Sequence, residues 1–212
     1  MRRAKRPLIE RLREKGARNA VRIALQIGRD QIFSFLYALW LRALGARIGR
    51  GCCFRGRLEL KGDPRRILIG DRVLFRGDVC LWTHDDGPGH GRIEIGDQVA
   101  LGHRMTINSY ERITIGPGCM FGDSCYIQDN DHGTEPGIRI LDQPSHGAGI
   151  TIGADVWFGA FVIALKGVSV GDHSVVGAGS VVVKSIPAGV IAVGVPCRPI
   201  RRRDGRSLER AA

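Results

Sequence analysis

A six-residue repeat is the feature of this sequence that most constrains its fold. An aliphatic or aromatic residue, usually followed by Gly, recurs in steps of six, and the fifth residue of each hexad is small or β-branched. The most regular run reads Ile152-Gly153, Phe158-Gly159, Ala164, Val170-Gly171, Val176-Gly177 and Val182, and earlier runs begin at Ile69, Ile95 and Ile115. A helix is excluded because its apolar residues would recur every 3.6 residues.

Three such hexads can close one triangular coil of about 18 residues whose sides are short strands. The first and fifth residues of each hexad then point inward, and Gly after the first residue is expected to supply the backbone angles of a tight corner. Cys52, Cys119 and Cys125 fall at the fifth position, where a free thiol serves as a small core side chain. The sequence therefore predicts an all-β solenoid, a parallel β-helix of about six triangular coils.

The repeat also divides the chain into segments. Residues 1–46 carry little Gly and have apolar residues at helical spacings, so we expect a helical segment that packs on the first coil or lies at a membrane interface. The β-helix domain is predicted over residues 47–187, and residues 188–212 are predicted to form a basic C-terminal tail.

Three interruptions break the phase of the repeat. About eight extra residues fall within 82–92, two near 111–113, and about 19 in an inserted loop at 133–151. A regular solenoid needs no such loops, and long loops are often functional.

The charge of the chain is concentrated at its two ends. The net charge is +11, which favours a polyanionic partner, a membrane surface or a phosphorylated ligand. Nucleic acid is not expected, because no basic stripe alternates with aromatic residues and no reading helix is present.

The six cysteines form no CxxC pair and follow no secretory signal, so we expect a reduced, cytoplasmic protein. The apolar run at 32–41 is shorter than the ~20 residues that cross a bilayer.

His132 stands where the repeat breaks into the largest insertion. A histidine there can act as a general base, and an exposed loop histidine is the alternative. The stretch from Ile113 to Arg201 resembles the galactoside, maltose and nodulation-factor O-acetyltransferases and their relatives that acetylate bacterial surface polysaccharides. The resemblance is carried by ITIGPGCMFGDSCYIQDNDHG before the insertion and by VWFG, GAGSVV and GVPCR after it.

This resemblance implies a left-handed β-helix, acetyl-CoA as co-substrate, no metal, and a homotrimer with each active site between two protomers. It assigns the catalytic base to His132 and places Trp157 against the active site. The other implied contacts with CoA are Gly159, Ala160 and Ala178 along the pantetheine arm and Lys184, Arg198 and Arg201 at the nucleotide end. A backbone N–H near Gly159 or Ala160 is the candidate donor to the oxyanion.

The chain departs from the galactoside enzymes at the acceptor. Gly102 and Tyr110 stand where those enzymes carry polar acceptor-site residues, so we expect a sugar hydroxyl of a bacterial surface polysaccharide or its precursor instead. O- or N-acetylation and the length of the acyl group stay open. Further candidates are His84, Asp85, Asp86 and His90, which could line an acceptor pocket or form a solvated loop, and Asp131, at an inward position, which could orient His132.

Other functions share this fold. A γ-class carbonic anhydrase would need two more zinc-ligating histidines about one coil after His132, and that coil has none. Serine acetyltransferases carry acceptor motifs that are missing here. A non-catalytic β-helix assembly subunit, or an acetyltransferase for a small non-sugar acceptor, remains an alternative. Peripheral membrane contact through the basic N-terminal helix, at the inner face of the membrane, is also open.

Overall fold

The fold was analysed in a computed structural model that describes residues 16–87 and 90–207. Within these residues, one helix, α1 (Gly16–Ala43), precedes 22 short strands, and two 3₁₀ turns lie at Pro64–Arg66 and Ile140–Asp142. The strands are β1 Arg47–Ile48, β2 Cys53–Phe54, β3 Leu58–Lys61, β4 Ile67–Ile69, β5 Leu74–Phe75, β6 Val79–Thr83, β7 Arg92–Ile95, β8 Ala100–Leu101, β9 Met105–Ser109, β10 Arg112–Ile115, β11 Met120–Phe121, β12 Tyr126–Gln128, β13 Asn130–His132, β14 Ser145–Gly147, β15 Ile150–Ile152, β16 Trp157–Phe158, β17 Ile163–Ala164, β18 Ser169–Val170, β19 Val175–Val176, β20 Val181–Val182, β21 Val190–Val193 and β22 Arg198–Arg202.

These strands form the three faces of a left-handed parallel β-helix, which confirms the predicted fold class. The first face has the order β1-β4-β7-β10-β15-β18, the second β2-β5-β8-β11-β16-β19-β21-β22, and the third β3-β6-β9-β12-β17-β20. Each coil contributes one strand to each face, so six coils are stacked, as the repeat predicts.

The interior is filled by the first and fifth residues of the hexads. Fifth-position residues are buried wherever the chain keeps the phase of the repeat, including Cys119 and Cys125, whereas Asp131 is exposed. The inner side of the second face is a column of large side chains in which Phe54 stacks on Phe75 and the Phe121 ring meets Phe158 edge to face. The prediction that these cysteines fill the core is confirmed.

The glycines that follow the aliphatic residue have a different role from the expected one. They do not adopt positive φ, which occurs two residues later, for example at Arg72 and Ser124. A Cβ on Gly122 would lie 2.5 Å from the backbone nitrogen of Ala160 in the next coil. These glycines are therefore required because successive coils approach each other closely at the corners.

Helix α1 closes the open end of the first coil. Its Ser34 hydroxyl accepts a hydrogen bond from the Phe54 N–H, the Tyr37 hydroxyl donates to the Leu58 carbonyl, and the Arg42 guanidinium donates to the Ile48 carbonyl. Each of the three faces thus has an edge group bonded to a helix side chain, which protects an otherwise unpaired sheet edge. The basic residues that precede α1, up to Lys15, and Arg210 near the other end of the chain lie outside the described residues.

All the insertions lie at one corner, where the chain passes from the third face to the first. The register places Ile69, Ile95, Ile115 and Ile152 in one column, at spacings of 26, 20 and 37 residues, whereas Ile152 and Val170 are 18 residues apart. A further small insertion, around the turn Pro64–Arg66, was not expected from the sequence. We call the three-faced β-helix the prism, and we call this edge of it the insertion corner.

The C-terminal segment differs from the expected tail. Strand β21 continues the second face by pairing parallel with β19, and β22 folds back antiparallel on β21. Val190 and Ala192 point inward and are buried, because the alternation of inward residues outlasts the hexapeptide pattern. Within residues 16–87 and 90–207, no helix combines the length and apolarity needed to cross a bilayer.

Candidate functional site

His132 ends β13, which leaves the third face at the insertion corner after the fourth coil. Strands β13 and β14 form an antiparallel ladder in which Asn130 pairs with Gly147 and His132 with Ser145. The predicted loop is therefore an ordered hairpin at its base, and His132 is exposed on it. A histidine in this position can reach a ligand outside the prism.

The base of this hairpin is held by Asp129, whose carboxylate is fully buried. It accepts hydrogen bonds from the backbone N–H groups of Tyr110 and Glu111 and from the Ser109 hydroxyl. Burial raises the pKa of Asp129, and these donors act in the opposite direction by stabilising the charged form. The carboxylate thus fixes the point at which the chain leaves the coil.

Asp131 does not take the role proposed from the sequence. Its carboxylate is half-exposed and lies 3.2 Å from the Lys166 ammonium, in the next coil. The expectation that it points inward and orients His132 is wrong, because the chain has already left the hexad phase at Asp129. The Asp131–Lys166 pair instead ties the hairpin to the prism.

A second cluster lies below the hairpin on the same corner. The His84 ring stacks on Trp82 at 4.6 Å, its Nε2 atom is 2.8 Å from the Asn108 amide oxygen, and the Tyr110 ring meets it edge on. The Asp86 carboxylate lies 3.5 Å from the His84 Nδ1 atom. His84 is therefore a fixed side chain, in contrast to the solvated loop that the sequence allowed, whereas Asp85, Asp86 and His90 are exposed.

Most residues implied for CoA lie at a different corner, between the second and third faces, whereas Lys184 lies in the column of Lys166 at the insertion corner. Trp157 is 47% exposed on β16, and Gly159 and Ala160 follow it, with Ala178 one coil further on. We call this edge the Ala160 corner. The Gly159 N–H donates to the Val176 carbonyl and is not free, whereas the Ala160 N–H has no acceptor among the described residues. Of the two oxyanion candidates, the geometry favours Ala160.

The basic residues implied for the nucleotide end are exposed near the last coil. Lys184 follows β20, and Arg198 and Arg201 lie on β22. The hairpin that carries the two arginines is fastened by Arg203, which donates to the Asp155 carboxylate at 2.8 Å. Hydrogen bonds from His173 and Arg203 lower the pKa of Asp155, so its charge is retained at the attachment point.

Within one chain, His132 and the Ala160 corner do not meet. Ala160 is six positions before Lys166 in the fifth coil, and the Lys166 side chain contacts the His132 hairpin. At about 3.3 Å per residue, this places the two corners roughly 20 Å apart. A proton transfer needs hydrogen-bond distance, which His132 and the Ala160 corner do not have within one chain.

Other chemistries find little support in the described residues. Burial raises the pKa of the Cys119 and Cys125 thiols to about 11, which suits core filling better than nucleophilic attack. Between residues 16 and 207, outside the gap at 88–89, no group of three His, Cys, Asp or Glu side chains is arranged to hold a metal ion.

Comparison with known proteins agrees with the geometry of the coils. Residues 149–184 match the family described as bacterial transferase hexapeptide (six repeats). A protein of Schizosaccharomyces pombe assigned as an acetyltransferase is 34% identical over 160 residues, which cover 69% of this chain and 74% of that protein. The chain belongs to the hexapeptide-repeat acetyltransferase family. This confirms the family that the sequence resembles.

Two further relatives of the family bear on donor and acceptor. An Escherichia coli protein assigned as a lipopolysaccharide biosynthesis O-acetyl transferase is 33% identical over 129 residues, which cover 55% of this chain and 64% of that protein. The structure of a Vibrio cholerae hexapeptide-repeat acetyltransferase complexed with acetyl-CoA is 26% identical, with a TM-score of 0.56, and the match covers 93% of this chain and 90% of that one. The chain spans about half the length of other curated family members, among them two galactoside O-acetyltransferases.

Sequence reasoning named His84 but missed Asp129, Lys166 and the partners that hold the His84 ring, namely Trp82, Asn108 and Tyr110. A signal for Asp129 was present, since an acidic residue directly after an inward-facing strand and before a phase break is a candidate anchor for the turn. Nothing in the one-dimensional pattern places Lys166 next to Asp131, because their contact depends on the stacking of coils across a 19-residue insertion.

Proposed function

We propose that this protein transfers an acetyl group from acetyl-CoA to a hydroxyl of a sugar acceptor, which belongs to a bacterial surface polysaccharide or its precursor. Membership of the hexapeptide-repeat acetyltransferases supports the reaction class. The similarity to a lipopolysaccharide O-acetyl transferase supports a polysaccharide acceptor.

Binding of the acetyl donor is supported above all by backbone N–H groups at the Ala160 corner. The N–H groups of Ala160 and Ala178 have no acceptor among the described residues and lie on successive coils beside the exposed Trp157. A pantetheine arm carries amide and thioester oxygens that such donors can bind. Lys184, Arg198 and Arg201 then supply positive charge for the phosphates of CoA.

The proposed chemistry uses His132 as a general base. Its imidazole takes the proton of the acceptor hydroxyl while that oxygen forms a bond to the thioester carbonyl carbon. The resulting oxyanion accepts a hydrogen bond from the Ala160 N–H. When the tetrahedral intermediate collapses, the carbon–sulfur bond breaks and the imidazolium returns the proton to the leaving thiolate, so no covalent enzyme intermediate forms.

A homotrimer is part of this proposal, because the reacting groups lie on different corners of one prism. In a cyclic trimer, the insertion corner of one protomer can face the Ala160 corner of its neighbour, and all three sites are equivalent. His132 of one protomer and the CoA groups of the next would then share one groove.

The proposed place of action is the cytoplasm, at the inner face of the membrane, where acetyl-CoA and polysaccharide precursors can meet. The excess of basic residues at both ends of the chain is consistent with anionic ligands there.

The test is release of the CoA thiol from acetyl-CoA in the presence of simple sugars, nucleotide sugars and lipid-linked oligosaccharides. We expect release that depends on a sugar acceptor and an ester product on the sugar. Calorimetry that detects no acetyl-CoA binding would contradict the proposal as a whole. Binding with an amide product would contradict O-acetylation only.

A further inference from the structure

Helix α1 exposes an apolar face that no described residue covers. Seven apolar side chains are each between 44% and 66% exposed: Ile32, Phe33, Phe35, Leu36, Leu39, Trp40 and Leu44. Ile32, Leu36 and Leu39 lie opposite the buried side of the helix, and Phe33 and Phe35 lie on its flanks. A contiguous exposed face of this kind, rich in aromatic residues, is typical of an interaction surface.

The orientation of this face is fixed by the opposite side of the helix. Ser34, Ala38 and Leu41 are buried against the first coil, and Ser34, Tyr37 and Arg42 make the hydrogen bonds that close its three faces. Rolling the helix to hide its apolar side would break these bonds and leave the sheet edges unpaired. The apolar face is therefore presented outward, across the base of the prism.

Arginines surround the apolar face. Residues 28–57 contain six arginines and a single acidic residue, Asp30. On one flank of α1 a groove of about 510 Å³ is lined by Phe35 together with Arg42, Arg50 and Arg55. On the other flank a groove of about 430 Å³ is lined by Phe33 together with Arg29, Arg55 and Arg57. Asp30 lines both grooves, and in each of them the arginines outnumber it. Each groove thus combines an apolar wall with guanidinium groups, which suits an acyl chain below a phosphate.

We propose that the base of the prism, formed by α1 and the arginines of the first coil, docks on an anionic phospholipid bilayer. The aromatic and aliphatic side chains would enter the headgroup region while the arginines bind lipid phosphates. A second copy of the chain is the competing occupant. A self-contact over α1 would bring the two sets of arginines against each other, and like charges oppose such a contact.

This orientation fixes the distance of the reacting hydroxyl from the bilayer surface, an inference that rests on the proposed function. The hairpin with His132 leaves the fourth coil, three coil spacings of about 4.8 Å above the first, and α1 adds about 10 Å. The reacting hydroxyl would then lie roughly 25 Å above the bilayer surface. A sugar directly attached to a lipid cannot extend so far, so the acceptor is assigned to the class of lipid-linked oligosaccharides several sugars long.

The docking test is co-sedimentation of the full-length protein with vesicles of phosphatidylcholine, with or without phosphatidylglycerol. We expect strong binding only when phosphatidylglycerol is present, with weaker binding at high salt. Ile32→Glu/Leu36→Glu, which changes two exposed residues of α1 and leaves every basic residue in place, should lower the affinity by roughly tenfold or more. Ile138→Glu/Leu141→Glu, which changes two exposed residues of the insertion hairpin, is the matched control and should bind like the wild type.

Several results would overturn the docking proposal. One is equal loss of binding in the two double variants. Another is vesicle binding that Ile32→Glu/Leu36→Glu does not weaken. A change of mass by light scattering in that variant would assign the face to a second copy.

The height of the reacting hydroxyl above the bilayer is tested separately, by comparing lipid-linked acceptors of one and of several sugars in vesicles. Faster transfer to the short acceptor contradicts the proposed height. Absence of turnover with any soluble or lipid-linked sugar would contradict the proposed function and leave the vesicle result standing.

Discussion

The insertion corner and the Ala160 corner are edges of the same coils, yet they differ in the groups that they present. At the Ala160 corner, Gly122, Gly159 and Gly177 repeat in register, and their neighbours are largely the backbone of the next coil. At the insertion corner, the coils are held by side-chain contacts such as Asp131–Lys166, and by hydrogen bonds from Arg66 to the carbonyls of His84 and His90. The first corner offers a regular row of backbone groups, and the second offers varied side chains.

This difference suggests a division of labour in the proposed reaction. A donor common to a family can be bound by backbone groups that any hexapeptide coil provides. An acceptor that differs between family members needs side chains that can change without disturbing the coils, and insertions at one corner provide them. Substitutions confined to one corner test whether the two corners have these separate roles.

The largest effect is expected at the insertion corner. His132→Ala should lower kcat by roughly 10²–10⁴-fold, because the acceptor hydroxyl loses its general base, while acetyl-CoA binding should stay unchanged. Turnover and calorimetry measure the two quantities. His146→Ala is the control, since His146 lies on β14 of the same hairpin and should have little effect. Wild-type turnover in the His132 variant would remove the base from the mechanism.

A mixed assembly tests whether the two corners act in different protomers. His132→Ala and Ala160→Trp protomers should each be nearly inactive alone, because one lacks the base and the other blocks the donor groove. If each site joins two protomers, random trimers from an equal mixture, unfolded and refolded together, should recover about a quarter of wild-type activity. No recovery, with mixed trimers demonstrated by a size tag on one variant, would place both groups in one protomer and contradict the shared site.

The sequence predicted the coils better than it predicted the site. The hexad pattern was sufficient for the six coils, the buried columns and the sizes of the three main insertions, since each inward position is read directly from residue spacing. Asp131 was misplaced because the pattern was carried two residues past the point where Asp129 anchors the turn. The proximity of Asp131 to Lys166, and the stacking of all insertions on one corner, depend on coil-to-coil register, which the spacing alone does not display.

Matched glycine substitutions compare the packing of the two corners. A methyl group on Gly122 would meet only backbone of the next coil, at 2.5–2.8 Å, whereas one on Gly147 would meet side-chain atoms of Glu111 and Tyr110. Backbone cannot move aside without disturbing the coil, so Gly122→Ala should lower the free energy of unfolding by about 2–3 kcal/mol and Gly147→Ala by about 1 kcal/mol or less. Denaturant unfolding measures both. Equal losses would mean that Gly147 is as tightly packed as Gly122.

The smallest effect concerns how the basic hairpin β21–β22 is held beside the Ala160 corner. Hydrogen bonds from His173 and Arg203 lower the pKa of Asp155, so this attachment is at full strength above the usual Asp pKa near 3.8 and is lost as the pH falls through the lowered value. Because the carboxylate is half-exposed, and the Arg203 N–H also bonds to the Gly189 carbonyl, Asp155→Asn should loosen the hairpin only slightly.

At neutral pH we therefore expect Asp155→Asn to raise the KM for acetyl-CoA by roughly twofold and to speed amide exchange of β22 by a similar factor. The difference in amide exchange from the wild type should vanish at a pH below the lowered pKa, where the Asp155 carboxyl is neutral in both the folded and the unfolded protein. Asp204→Asn is the control, because Asp204 bonds to Arg206 within the tail and does not connect it to the coils. If Asp204→Asn has the larger effect, contacts within the hairpin fix the position of Arg198 and Arg201. The coils then hold the hairpin only through the pairing of β21 with β19.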